Sequence, residues 1–454
     1  MLDIIWNVFS FVLALSILVA VHEWGHYYVA KLCHVKVLRF SIGFGKPIYQ
    51  RITSSGMEFV IAAIPLGGYV RMLDGRVDTL RPEEFDVSFD HKPVLQRMAI
   101  VSAGPIVNFL FAIFALMMVG LLGSQSAKTI VGEIIPDSYA EKAGLSVRDE
   151  IKAVAGNEVD NWRDVSLEMA THTGEDEIRV LVKGQKGYTE EKILPINGWK
   201  IDPKSSDLFA DLGFIPFSPP ITNTLALVPK DGPAGAANIQ VGDEIIKIDG
   251  TLMTNWRQIV GYIEQRPSQA VELEVIRLNE NGSAENIEIS LLLGTKPDDP
   301  NKGYMGVVPL REEWPSEYIV KTKLGPIDAL IKGTEGTWRL MVKTTQMLGK
   351  LVTGDLSMKS LSGPISIAQG AGNHASYGLV AFLGFLALIS VNLGIINLLP
   401  LPILDGGHLL YFTVEWITGK PVSEAVQEVG FKIGGVILIL VMGTAIFNDI
   451  LRNT

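Results

Sequence analysis

Three uncharged stretches, residues 4 to 21, 98 to 122 and 379 to 399, are each long enough for a helix that crosses about 30 Å of hydrocarbon. A fourth, 433 to 448, is shorter and spans only with Lys432 extended along its end towards water. In lipid every backbone N–H and C=O needs an internal partner, so such segments are restricted to helices. With 48% hydrophobic residues over 454 positions, the chain reads as a polytopic α-helical membrane protein with four transmembrane helices. No Lys or Arg precedes the first run, which is also too long for the apolar part of a cleaved leader, so a retained helix is expected there.

Charge sets the expected orientation. Residues 31 to 97 carry ten Lys or Arg, including Lys31, Lys36, Arg39 and Arg97. Short basic loops stay in the cytoplasm, so both termini and the long segment between the second and third helices are expected outside. That outer segment, 124 to 374, holds 26 basic and 35 acidic residues, which accounts for −9 of the net −10. Such acidity argues against nucleic acid as a partner. The lone cysteine, Cys33, excludes an intrachain disulfide.

The outer segment repeats itself. "AEKAGLSVRDEIKAVAGNEVDNW" (140 to 162) aligns with "AGAANIQVGDEIIKIDGTLMTNW" (234 to 256), matching Asp149 with Asp243, Gly156 with Gly250 and Trp162 with Trp256. A period this long means two tandem domains rather than a solenoid. Each copy resembles a bacterial PDZ domain, an α+β fold that receives extended peptide at a sheet edge. Arg148 stands where that pattern has glycine, which leaves the groove of the first copy open to question. Between the first two helices, residues 37 to 72 mix β-branched and aromatic residues with Gly and Pro, the pattern of paired strands. This membrane-associated β-hairpin must rest on the helices or line a wet cavity, or else lie at the interface. Residues 316 to 353 alternate apolar positions with Lys332, Glu335, Arg339 and Lys343, so an amphipathic helix on the outer leaflet is expected rather than a fifth span.

Chemistry enters with "SILVAVHEWGHYYVAKL" (16 to 32), which carries H-E-x-x-H as His22, Glu23 and His26. On a helix, positions i and i+4 lie about 40° apart, so both imidazoles leave one face and could share a metal, with Glu23 beside them as a base. A carboxylate at membrane depth is costly, and such residues usually serve a function. Catalytic zinc wants three protein ligands and one open position. Val29 and Leu32 stand where a local third ligand would need Gly and His. Downstream, "NLLPLPILDGGHLL" (397 to 410) follows the third helix with two prolines and then Asp405, with His408 as a competing ligand.

The H-E-x-x-H in the first helix, N-x-x-P-x-P-x-L-D-G after the third, the tandem PDZ pair between them and the S-G-P at residues 362 to 364 together resemble the site-2 proteases, intramembrane zinc metalloproteases. The resemblance covers essentially the whole chain. It implies that His22, His26 and Asp405 hold Zn2+, that Glu23 is the catalytic base, and that Asn397, Pro400 and Pro402 position substrate. It also implies a membrane-reentrant β-loop at 37 to 72 and cleavage within the spans of single-pass proteins. The substrates so implied are an anti-sigma factor and remnant signal peptides in a bacterial inner membrane, and a monomer is expected. The domains so drawn are 1–124, 125–220 and 221–310 (the two PDZ domains), 311–374 and 375–454. Two other classes compete. A membrane-anchored PDZ adaptor with a non-catalytic metal site has no use for Glu23, and a zinc transporter needs ligands spread over several spans.

Overall fold

The computed structural model describes residues 2–201, 207–279, 281–296 and 299–453. Its long helices are α1 (Leu2–Leu32), α2 (Val94–Leu122), α3 (Pro326–Thr353), α4 (Pro364–Ser376), α5 (Leu379–Leu398), α6 (Asp405–Thr418) and α7 (Glu424–Asn453). Among the described residues, four helices are long and apolar enough to cross a membrane: α1, α2, α5 and α7. The last is longer than its uncharged core. Its first nine residues carry Glu424, Glu428 and Lys432, and the Lys432–Glu428 pair at 2.7 Å keeps that end polar while the helix continues.

Helix α2 is the hub, with α1, α3, α5 and α6 all packed on it. Lipid gives helices no hydrophobic reason to associate, so close backbone approach at small residues has to do so. A Cβ at Gly25 of α1 would lie 2.6 Å from the Ala103 carbonyl oxygen, one at Gly333 of α3 2.8 Å from that of Ile113, and one at Gly394 of α5 2.7 Å from the Phe109 ring. The serine hydroxyl of Ser390 on α5 donates to the Asn108 carbonyl at 2.8 Å.

Between α1 and α2 run β1 (Val37–Ile52) and β2 (Glu58–Met72). Arg39 pairs with Arg71 and with Glu58, Phe40 with Val70 and Phe59, Ser41 with Tyr69 and Val60, Ile42 with Gly68 and Ile61. A stretch with two partners at each position is the interior of a sheet, so both strands fold back on themselves, with Gly43 and Gly45 at positive φ supplying the bend. The expectation of a plain hairpin is therefore too simple. Gly67 to Met72 packs as an edge against α1, where a Cβ at Gly68 would lie 2.7 Å from a Val19 methyl.

The chain divides into two compact units, residues 216–319 and the remainder. Each contains one copy of the repeat, and the matched residues prove to be local structure. Asn161 and Asn255 cap the helices Trp162–Thr171 and Trp256–Glu264, each accepting the N–H three residues on at 3.0 Å. Ala155-Gly156 and Asp249-Gly250 take positive φ in pairs, the tight turn that suits twisted antiparallel strands. Asp149 accepts from Ser146 N and Lys192 Nζ, and Asp243 from Gln240 N and, through both oxygens at 2.7 Å, from Arg277. Arg148 adopts φ 73°, the left-handed conformation for which the second copy has Gly242 at 93°, so the substitution keeps the turn at some cost in strain. Along helix Trp256–Glu264 lies a groove of about 170 Å³ lined by Trp256, Ile259, Ile263, Tyr304 and Gly306. In the first copy Phe209 and Phe214 pack on Trp162, with ring centroids 5.1 and 6.1 Å away.

The first copy is fastened to α3. Lys343 Nζ meets Glu168 Oε2 at 2.6 Å, both residues buried at 6% and 1% exposure, and Arg339 and Lys350 pair with Asp164 and Glu175 around them. Leu167 belongs to the apolar layer around Ala112, Ala115, Leu340, Ala387 and Val391, which joins α2, α3 and α5. A charge left alone in such a place is costly, so Lys343→Met should destabilise this contact by about 3–5 kcal/mol, whereas Lys343→Met with Glu168→Met should recover most of the loss. Thermal unfolding of the purified chain measures both, and a single variant as stable as the parent would contradict the buried pairing.

The S-G-P segment has a structural partner. Asp449 on α7 accepts from the backbone N–H groups of Gly363, Ile365 and Ser366 at 2.9, 2.8 and 3.1 Å and from the Ser366 hydroxyl, which makes it a remote cap for α4. A Cβ at Gly363 would come within 2.6 Å of that carboxylate.

Candidate metal centre

Helix α1 carries His22, Glu23 and His26 to the depth where it crosses α2, and all three are at least nine-tenths buried. Their neighbour is Gly104: a Cβ there would lie 2.3 Å from His26 Nε2 and 2.7 Å from His22 Cε1. The hydrogen in place of a side chain is what lets α2 pass across the imidazoles. It is followed by Pro105, whose missing N–H leaves the carbonyl of Val101 without its usual helical donor.

Both rings are held at Nδ1 by α2. His26 Nδ1 lies 2.9 Å from the Ile100 carbonyl oxygen, and His22 Nδ1 lies 3.1 Å from the side-chain amide of Asn108. That leaves the two Nε2 atoms facing each other at 3.2 Å.

Asp405 arrives from the far end of the chain. Helix α5 stops at Leu398, the Pro400 and Pro402 turn redirects the backbone, and α6 begins at Asp405 itself. Asp405 is the first helical residue, with Leu404 as the cap. Two glycines make so abrupt a restart possible. A Cβ at Gly406 would lie 2.3 Å from the carbonyl oxygens of Leu398 and Leu399, and one at Gly407 2.4 Å from that of Leu401. Helix α6 is braced on α2 by Arg97, which pairs with Glu415 at 2.7 Å and lies 4.9 Å over the Phe412 ring. Pro402 sits in a notch of α7, 3.1 Å from where side chains at Gly430 and Gly434 would begin.

The outcome is a cluster in which Asp405 Oδ2 lies 3.2 Å from His22 Nε2 and 3.4 Å from His26 Nε2. Among the described residues it is the group of His, Cys, Asp and Glu whose ligand atoms converge closely enough for a metal. Oδ2 is buried and has no hydrogen-bond partner. His26 Nδ1 faces a carbonyl, which only accepts, so Nδ1 carries a proton, and in the neutral imidazole Nε2 is then a lone pair. A lone pair and a carboxylate oxygen aimed at one point call for a cation between them. Donors around a tetrahedral zinc with bonds of about 2.0 Å are about 3.3 Å apart, which the three separations match.

Glu23 lies beside this cluster and accepts the backbone N–H of Val70, so the edge of β2 and the carboxylate share one wall. Its Cγ is 3.1 Å from where a Cβ at Gly68 would sit. Asn397 is half-buried in the last turn of α5 and Pro400 is exposed just beyond it, both on the segment that leads to Asp405. His408 turns away, its ring 5.6 Å from Phe431 of α7. Sequence reasoning passed over Gly25, Gly104 and Asn108, although a G-P-x-x-N in an otherwise apolar run is a visible signal.

The family described as peptidase family M50 matches residues 10–441. The chain belongs to peptidase family M50. Its members include the site-2 proteases, and the chain is accordingly an intramembrane zinc endopeptidase. It is 46% identical over 456 residues to the protease RseP of Yersinia pestis and 44% identical over 455 residues to the regulator of sigma-E protease RseP of Escherichia coli, covering 100% of both chains in each case. The regulator of sigma E protease of Haemophilus influenzae is 41% identical over 452 residues, 99% of this chain and 100% of its own. Of the solved structures, the PDZ domain of an SdrC-like protein from Listeria monocytogenes aligns at 17% identity over 21% of this chain and 92% of its own, with a TM-score of 0.16.

Proposed function

We propose that His22, His26 and Asp405 hold the zinc ion and that Glu23 carries the protons in hydrolysis of a peptide bond inside a transmembrane segment. The convergence of three donor atoms within 3.4 Å of one another, drawn from two distant parts of the chain, supports this reading above all. When bound, zinc supplies a Lewis acid that polarises a carbonyl and lowers the pKa of water.

The chain's own residues supply the rest. Glu23 takes the proton of the attacking water and returns it to the leaving nitrogen, and the Val70 N–H holds the carboxylate in place between the two transfers. A helical substrate hides its carbonyls in its own hydrogen bonds, so it must unwind before attack. The edge of β2 from Gly67 to Met72 offers backbone groups to such an unwound strand, with Asn397, Pro400 and Pro402 on the other side of the scissile bond. Low water access around the buried cluster strengthens each of these contacts.

The basic loops at 31 to 97 support an inner-membrane orientation in which both termini and the two repeated domains face the periplasm and the cluster lies nearer the cytoplasmic side. The repeated domains are PDZ domains in this reading, and they act as a size filter above the membrane. The substrates are single-pass proteins already trimmed outside, an anti-sigma factor and remnant signal peptides among them, and the enzyme acts as a monomer.

The test is cleavage of a single-pass substrate by the purified full chain in detergent. A zinc chelator should lower the rate at least 100-fold, and added zinc should restore it. Cleavage that survives full removal of the metal would refute the proposal.

A further inference from the structure

The two histidines are held differently at Nδ1, and the difference carries information. For His26 the partner is a carbonyl, so the tautomer is fixed with its proton on Nδ1. For His22 the partner is a primary amide, which has a donor and an acceptor of nearly the same shape. With the amide nitrogen 3.1 Å from the ring nitrogen, His22 Nδ1 would be the acceptor and its proton would sit on Nε2. That proton would point into the cluster, 3.2 Å from both Asp405 Oδ2 and His26 Nε2, where a ligand needs a lone pair. In the same orientation Asn108 Oδ1 is buried without a partner in a residue of 0% exposure.

Half a turn of the amide resolves both problems. Oδ1 then accepts from His22 Nδ1–H, the orphaned acceptor is satisfied, and Nε2 becomes the lone pair. The backbone of Asn108 is already anchored, since its carbonyl accepts from Ser390 on α5, and only the side chain has to turn.

We infer that Asn108 is the positioning residue of His22: its side-chain oxygen takes the Nδ1 proton, fixes the tautomer and presents Nε2 to the cation. The inference rests on His22 being a zinc ligand. It gives α2 the same duty towards both histidines, through a backbone carbonyl for one and a side-chain amide for the other. An acceptor behind a ligating imidazole both orients the ring and raises its basicity.

The test measures zinc affinity of the purified full chain by competition with a chromophoric chelator. Asn108→Leu keeps the volume and removes the acceptor, and should weaken zinc binding by about 10–100-fold. Asn108→Asp offers an acceptor in either orientation and should bind zinc at least as tightly as the parent. A purely packing role would favour Leu over a buried carboxylate and give the opposite order. Leu within twofold of the parent, or Asp as weak as Leu, would overturn the inference while leaving the zinc site intact. If Asn108→Leu fails to fold, the Asp variant decides alone: parental affinity supports the inference and weaker binding overturns it. A parent chain that binds no zinc, or binds it equally after His22→Phe, defeats the metal reading itself.

Discussion

Glu23→Gln should lower the cleavage rate by about 10²–10⁴-fold while leaving zinc content unchanged. The amide keeps the shape of the side chain and an oxygen for the Val70 N–H, but it cannot take a proton from water. Because Glu23 is not among the three converging donors, the metal should stay bound. Parallel measurement of cleavage and metal content on one preparation separates the two roles. Loss of zinc with the substitution would make Glu23 a ligand, and undiminished cleavage would remove it from the mechanism.

Gly104→Ala should be nearly as damaging, although it replaces no titratable group. On helix propensity alone, alanine in place of glycine stabilises by about 1 kcal/mol. Against that, the new methyl would lie 2.3 Å from His26 Nε2 and 2.7 Å from His22 Cε1, at a crossing where α1 and α2 are already so close that a Cβ at Gly25 would lie 2.6 Å from the Ala103 carbonyl oxygen. Overpacking of this kind costs about 1–3 kcal/mol, and a displacement of about 1 Å at a catalytic centre is enough to cost 100-fold in rate. The expected result is therefore cleavage and zinc affinity both down at least 100-fold, in a protein whose melting temperature moves by only a few degrees. A more stable and fully active Gly104→Ala chain would show that the helices do not cross as closely as described.

The two effects illustrate what the sequence could and could not reveal. The four spans were readable because hydrocarbon admits few alternatives, although the first turns of α7 were missed because their charges look like a boundary when only hydropathy is weighed. H-E-x-x-H is legible because an i, i+4 spacing is a local property of a helix. Asp405 could be proposed from its motif, but its exact position could not. It depends on how closely Gly406 and Gly407 let α6 approach the carbonyls of Leu398 to Leu401, which is a tertiary fact. The same holds for Gly25 and Gly104, two small residues far apart in the chain that have meaning only at their crossing. The β1–β2 segment read as a hairpin because alternation reports strands and not their number of neighbours; the double pairing of Arg39 to Ile42 depends on bends at Gly43 and Gly45. Lys343 read as one charge on an amphipathic face, and only the docked helix Trp162–Thr171 makes it half of a buried pair.

The proposed mechanism depends on one zinc ion held jointly by α1 and the start of α6. Zinc-edge X-ray absorption on the purified full chain tests it most directly. The expected result is one zinc per chain with two imidazoles and one carboxylate oxygen at about 2.0–2.2 Å, and loss of the bound metal in Asp405→Ala. Substoichiometric zinc, or an identical spectrum and metal content after Asp405→Ala, would contradict it.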